Sequence, residues 1–219
     1  EAESVLRDCV AHDEPGARWE LGCLRLLQGD YAQGWSLWRS LQQDNRPRLL
    51  WHRLLARGAR PWDGELARAR GRVLAVISGT GLGDALQFSR FLPALQATGV
   101  RVLLFAQPAV RQLLGQMGAG VEVRAVDEAA EPPCADLVCT LWDLPMLLDI
   151  RLDELDRWGA AHYLQNGAED EVARAARRGG ARALRVALAW RGNRRQLVER
   201  SIPLERFAEL GLAGIEWFS

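Results

Sequence analysis

The stretch "VISGTGLGD", residues 76–84, decides the fold because it joins two segments with different hydrophobic patterns. The apolar run "RVLAVIS" leads into the glycines, and "DALQFSRFLPALQ" follows them. Apolar residues of the second segment recur in the i, i+3, i+4, i+7 spacing of one helix face, at Phe88, Phe91, Leu92 and Leu95. The pattern predicts a buried strand, a glycine turn and a helix that begins at Asp84.

Further apolar runs, "VRVLLFAQ", "VEVRAV" and "ADLVCTL", alternate along the chain with helical segments such as "VRQLLGQM". Alternation of strands and helices at this spacing predicts an α/β fold, with a Rossmann-like parallel sheet and helices on its faces. Ligands bind at the carboxyl ends of the strands in such sheets. The glycine turn follows one of these ends and is therefore the first candidate site.

Residues 1–60 are rich in Trp and Leu and predict helices, two of them joined by a turn at Gly29 and Asp30 into an antiparallel hairpin. The spacing of Leu21-Gly22, Gly34 and Trp38 resembles a tetratricopeptide repeat (TPR). One and a half repeats cannot bury a core alone, so we expect this segment to pack on the next domain or to end a longer array. It is either a docking surface for another protein or a helical cap without a binding role.

The remaining chain predicts three segments. Residues 61–165 form the Rossmann-like domain. Residues 166–182, with the polar run "AEDEVARAARRGG", form a linker helix. Residues 183–219 contain the strand "LRVALAW", a short helix from Pro203 and the strand "IEWF". They predict the beginning of a second Rossmann-like domain that is incomplete.

Composition excludes several classes of function. The 219-residue chain has a formal net charge of zero, which removes a general attraction to nucleic acid or to an anionic membrane. All 28 basic residues are Arg, so a Walker-type phosphate loop and Schiff-base chemistry, which need Lys, are excluded. Bound phosphate would be held by guanidinium groups, backbone N–H groups or hydroxyls.

The cysteines and the lengths of the apolar runs indicate where in the cell the protein is located. The four cysteines, Cys9, Cys23, Cys134 and Cys139, form no CxxC pair, so we expect thiols of a core in a reducing compartment rather than disulfides or a zinc site. No signal segment opens the chain, and no apolar run has the length of a membrane span. We predict a cytoplasmic protein.

Two hypotheses for the glycine turn can be weighed on the residues alone. A dinucleotide fingerprint needs a third glycine where the chain has Asp84, and an acid where Gln107 ends the second strand, so nicotinamide binding is disfavoured. Asp84 could be a plain N-cap of the helix. It could equally present its carboxylate at the lip of a cleft and accept a proton from a substrate hydroxyl.

Four blocks, "PWDGE", "GLGDALQFSRFLPAL", "VALAWRGN" and "RSIPLERF", occur in an order that resembles the bacterial tetratricopeptide-repeat glycosyltransferases. These enzymes are related to the lipopolysaccharide heptosyltransferases of glycosyltransferase family 9. The resemblance covers most of the chain from about residue 15 and implies the GT-B fold. In that fold an acceptor-side and a donor-side Rossmann-like domain face each other across a cleft.

The resemblance also implies roles for particular residues. Asp84 matches the catalytic base, and its neighbours Gly81, Gly83 and Gln87 would contact substrate. The donor phosphates would be contacted by Gly192, Asn193, Arg194, Arg200 and Ser201. We expect inverting transfer from a nucleotide sugar to a glycan or protein hydroxyl, with neither metal nor cofactor. Asp143 is expected to be solvated on the surface.

The family continues well beyond the position that corresponds to Ser219, through the part that holds most of the donor nucleotide. We therefore keep an alternative function, in which the chain is a TPR-type binding or scaffold protein with a degenerate GT-B fold and no turnover. A dinucleotide enzyme is the third and least favoured hypothesis.

Overall fold

A computed structural model describes residues 2–14, 16–42, 48–79, 81–117, 120–126, 131–158, 163–164, 184–188, 201–210 and 215–218. The chain divides into two units, Glu1–Gln165 and Asn166–Ser219. Each unit is described by itself.

The first unit begins with four helices: α1 (Ala2–Ala11), α2 (Ala17–Leu27), α3 (Tyr31–Gln42) and α4 (Arg48–Ala56). Helices α2 and α3 form the predicted antiparallel hairpin, which turns at Gly29 with a φ of 81°. The two helices approach closely because Gly22 faces the Trp38 backbone and Gly34 faces Leu26. The predicted hairpin is confirmed, whereas its membership of a repeat family stays a prediction.

The sheet of the first unit contains five strands, and described helices lie between the first four of them in the chain. In chain order the elements are β1 (Arg60–Pro61), α5 (Leu66–Ala69), β2 (Val73–Ile77), α6 (Leu82–Ser89), α7 (Leu92–Ala97), β3 (Arg101–Ala106), α8 (Pro108–Leu114), β4 (Val121–Ala125), β5 (Leu137–Thr140), α9 (Leu144–Leu147) and α10 (Leu155–Trp158). All four strand pairs are parallel, and the strand order is β1-β5-β2-β3-β4. The predicted Rossmann-like parallel sheet is confirmed.

Side chains of β2 alternate between the two faces of the sheet. Leu74 and Val76 pack with the residues of α6, α7 and α8, whereas Ala75 and Ile77 pack with those of α4. Four consecutive residues of this strand are completely buried, because helices cover both faces and strands flank both edges. The sheet therefore lies between two helical layers.

The helix after β2 differs from its prediction in two ways. It begins at Leu82, two residues before Asp84, and a turn at Arg90 and Phe91 divides it into α6 and α7. Pro93 lies in the first turn of α7, where its missing N–H costs nothing, although it cannot continue the preceding helix. The four apolar residues of the predicted face are nevertheless all buried.

The second unit contains a pair of parallel strands, β6 (Leu184–Ala187) and β7 (Ile215–Phe218). A 3-10 helix over Leu204–Leu210 lies between them in the chain, where a short helix was predicted. Both strands are confirmed. The linker helix predicted over residues 166–182 lies outside the described residues, and the assignment of this unit to a second Rossmann-like domain stays a prediction.

Two helical glycines allow a matched test of the hairpin. A Cβ added at Gly22 would lie 2.6 Å from the Trp38 backbone nitrogen, whereas one added at Gly83 meets no heavy atom within 4 Å. We expect Gly22→Ala to lower the free energy of unfolding by about 1–3 kcal/mol, because α2 and α3 must separate. Gly83→Ala should raise it by about 0.5–1 kcal/mol through helix propensity. Urea unfolding of both variants measures the difference, and a shift of the same sign in both would contradict the close packing.

Candidate active site

The strand order creates a crevice at one end of the sheet. From β2 the chain proceeds to β3 and β4 on one side, and it then returns to β5 on the other side of β2. The segments that leave β2 and β5 lie on the same face of the sheet, where Leu141 and Leu144 share a core with Phe88. Ligands bind beyond the carboxyl ends of the strands in open parallel sheets, so the space beyond these two ends is the candidate crevice. The glycine turn follows β2, and Leu141–Asp143 follows β5 as a 3-10 helix. Both segments border the crevice.

The turn after β2 is held in place by β3. Ser78 N donates to Phe105 O at 2.9 Å, and Gln107 Nε2 donates to Gly79 O at 2.8 Å. Gln107 therefore holds the backbone of the turn from the position where a dinucleotide fold would carry its ribose-binding acid. The Ser78 hydroxyl is buried, and no described residue hydrogen-bonds to it.

The segment after β5 supplies an aromatic wall. The ring of Trp142 lies against Gly79 so closely that a Cβ at Gly79 would overlap it. The segment is fixed by a reciprocal cap, in which Asp143 N donates to Thr140 Oγ1 and Thr140 N donates to Asp143 Oδ2 at 3.0 Å. Thr140 Oγ1 also donates to Asp143 Oδ2 at 2.9 Å.

The prediction that Asp143 is solvated on the surface is wrong. Only 3% of Asp143 is exposed, because its carboxylate closes the cap inside the protein.

Asp84 occupies the first turn of α6, which follows the carboxyl end of β2. The helix begins after Gly81, whose extended backbone makes it the N-cap residue, so the hypothesis that Asp84 is the N-cap is wrong. The Asp84 carboxylate folds back over Gly81, and a Cβ there would overlap it. Asp84 is exposed, and no described residue hydrogen-bonds to its carboxylate.

The other residues predicted on this side lie around Asp84. Gly83 is exposed and has open space beside its Cα, as the close approach of a ligand requires. Gln87 is exposed one turn further along α6. Tyr163 fixes the same helix because its hydroxyl donates to Leu86 O at 2.7 Å. The structure thus brings Gly81, Gly83, Asp84 and Gln87 together on one helix start.

An aromatic cluster connects α3 to both walls of the crevice. It is defined by edge or tilted ring contacts, with centroids 5.7–6.5 Å apart, among Tyr31, Trp35, Trp38, Phe88, Phe91 and Trp142. Trp38 contacts Phe88 of α6 on one side and Trp142 on the other, each at 6.3 Å. The N-terminal helices therefore pack on the sheet domain, as predicted, and support the candidate site.

The block "PWDGE" forms a turn that packs against α9, the helix that follows Trp142. Trp62 is buried, and its Nε1 donates to Glu65 O at 3.3 Å. A hydrogen bond from Glu65 N and the charge of Arg68 hold the pKa of Asp63 below its ordinary value. Gly64 has a φ of 94° and packs on Leu147 O, so no other residue fits there. This block positions α9, which follows Trp142.

The structure does not test the residues that were predicted to hold the donor. Gly192, Asn193, Arg194 and Arg200 lie outside the described residues, and Ser201 belongs to the second unit, where it is half-buried. Four clefts of 410–690 Å³ lie in the described part of the chain, and Asp84 lines none of them. Of the predicted site, the structure of the first unit therefore describes the residues around Asp84 and not those assigned to the donor phosphates.

Comparisons with protein-family models, with curated proteins and with solved structures find no match to this chain. The Rossmann-like sheet of the first unit is shown by the structure, and the resemblance to glycosyltransferases rests on the sequence blocks alone.

The described residues contain neither a metal-binding cluster nor a helix that could span a membrane. Across the described ranges, no group of three or more His, Cys, Asp or Glu is arranged to hold a metal ion. Within the same part of the chain, every helix is too short or too polar to cross a bilayer. The cytoplasmic location stays a prediction.

The cysteines only partly match their prediction as core thiols. Cys139 is buried in β5, and burial raises the pKa of the half-buried Cys23 thiol. Cys134, however, is exposed, and its sulfur accepts a hydrogen bond from Arg57 Nη2 at 3.3 Å.

The reciprocal cap that positions Trp142 can be tested by a double-mutant cycle. We expect Thr140→Ala and Asp143→Ala each to lower the free energy of unfolding by about 1–2 kcal/mol, because both lose the same cap. The double variant should lose clearly less than the sum of the two. Asp153→Ala, at an exposed acid in the first turn of another 3-10 helix, is the control and should change stability by less than about 0.5 kcal/mol. Additive losses measured by thermal or urea unfolding would show that the two side chains act independently.

Proposed function

We propose that this protein is a metal-independent, inverting glycosyltransferase that moves a sugar from a nucleotide sugar to a hydroxyl of a glycan or protein acceptor. The observation that carries the proposal is the exposed carboxylate of Asp84 at the start of α6, just beyond the carboxyl end of the central strand β2 of a Rossmann-like sheet. The family resemblance, which assigns the base to this position, supports it further.

The surroundings of Asp84 suit a general base that acts on a strongly activated substrate. Asp84 lies in the first turn of α6, and a carboxylate is in general a weak base. A weak base suffices when the reaction partner is strongly activated, as in a sugar with a diphosphate leaving group. The half-buried ring of Trp142 lines the crevice near this helix start and offers an apolar face to a sugar ring.

In the proposed step, Asp84 takes the proton of the acceptor hydroxyl as its oxygen forms a bond to the anomeric carbon. The bond between that carbon and the phosphate oxygen breaks on the opposite face, and the nucleoside diphosphate leaves with the electron pair. Backbone N–H groups and arginines would stabilise the departing charge. By resemblance, these groups come from residues 192–194 and from Arg200 and Ser201.

A second candidate, a binding or scaffold role without turnover, is favoured by exposed apolar side chains on the N-terminal helices. Val5 of α1 is 56% exposed and Leu27 of α2 is 86% exposed. Burial of these two side chains against another protein would remove apolar surface from water. The first candidate is preferred because α3, which pairs with α2, packs through Trp38 against both walls of the crevice.

An assay of donor turnover separates the two candidates. The full chain is incubated with UDP-, GDP-, ADP- and dTDP-linked sugars and with methyl glycosides or peptides as acceptors, and release of the nucleoside diphosphate is measured. We expect Asp84→Asn to reduce release by about 10²–10⁴-fold, with an unchanged melting temperature. Asp156→Asn, at an exposed acid in the first turn of α10, is the matched control and should retain full activity.

Two results would contradict the proposed glycosyltransferase activity. Equal turnover by Asp84→Asn and the parent would remove Asp84 from the role of base. If no nucleotide sugar at millimolar concentration shifts the melting temperature and none is consumed, the binding role is favoured instead.

A further inference from the structure

Strand β4 ends the five-stranded sheet, and no described residue pairs with its outer side. The direction of its backbone groups follows from the ladder with β3. Val126 N donates to Ala106 O at 2.9 Å, so the backbone of residues 122, 124 and 126 points towards β3. The N–H and C=O groups of Val121, Val123 and Ala125 therefore point away from the sheet.

The apolar and the charged side chains of β4 lie on opposite faces of the sheet. Val121 and Val123 are half-buried against the core beneath α7 and α8. Glu122 and Arg124 are exposed on the opposite face, and Arg124 Nη2 lies 2.6 Å from Glu122 Oε1. The strand thus carries one acid and one base, placed symmetrically about Val123.

We propose that β4 is a self-association surface, on which β4 of a second copy of this chain pairs antiparallel about a twofold axis at Val123. Val123 faces Val123 of the partner subunit, and Val121 faces Ala125 of the partner subunit. These are the residues whose outward groups are unpaired, so three hydrogen-bonded pairs form with two bonds each. The two five-stranded sheets become one continuous sheet.

The charges select a second copy as the partner, since the strand is complementary to itself in this register. Glu122 lies opposite Arg124 of the partner subunit, and Arg124 lies opposite Glu122 of the partner subunit. Both are non-hydrogen-bonded pairs, in which side chains approach most closely. A twofold axis at Glu122 or at Arg124 would place like charges opposite each other. An axis between two residues would set a charged side chain against a valine of the core face.

Charge reversal tests the register directly. In Glu122→Arg, arginine faces arginine twice across the axis, and in Arg124→Glu, glutamate faces glutamate twice. We expect each single variant to weaken self-association by about tenfold or more. The double reversal, Glu122→Arg with Arg124→Glu, should restore it. A mixture of the two single variants should also associate, because every charged pair is then of opposite sign.

Sedimentation velocity of the full chain over a range of concentrations measures association, and circular dichroism checks that each variant is folded. The expected result is a concentration-dependent dimer in the parent, loss of dimer in each single variant, and its recovery in the mixture and in the double variant. A parent chain that stays monomeric at every concentration overturns the proposal. A dimer whose stability is unchanged in the single charge-reversal variants also overturns it. So does a failure of the mixed single variants to form a dimer, because the interface would then lie elsewhere.

Discussion

The structure depends on the complete burial of β2. Leu74, Ala75, Val76 and Ile77 expose no surface, so the strand needs neighbours on both edges and helices on both faces. An apolar run without alternation is what such a strand requires, and a single charged residue in it would be left without water or a partner. The placement of α4 and of α6–α8 follows from this requirement.

The same burial determines where polar chemistry can occur. A strand that is dry along its length can present polar groups only where it ends, and β2 ends at Ser78 and the glycines beside the segment that follows β5. Trp142 and the helix start that carries Asp84 lie just beyond these two strand ends. The N-terminal hairpin belongs to this arrangement, because Trp38 holds the ring of Trp142 and the flank of α6 together.

Periodicity predicts most of this architecture, since the long strands, the hairpin and the buried face of α6 and α7 follow from local patterns. Properties that depend on distant contacts are not predicted. Strand β1 has only two residues, and it exists because it pairs with β5 far along the chain. Asp143 resembles a solvated loop acid in the sequence, and the cap that buries it becomes visible only in three dimensions. The positions of Asp84, Gly81, Gly83 and Gln87 follow from the sequence, whereas the role of Trp142 as a wall does not, because no local pattern distinguishes it from the eight other tryptophans.

The aromatic cluster also has a consequence for synthesis on the ribosome. Trp38 and its contact Trp142 are separated by 142 − 38 = 104 positions in the chain. At typical rates of translation about 5–20 s separate the synthesis of these two residues, so the contact of Trp38 with Phe88 can form before its contact with Trp142. The wall that α6 supplies to the crevice can therefore be in place before the wall that Trp142 supplies.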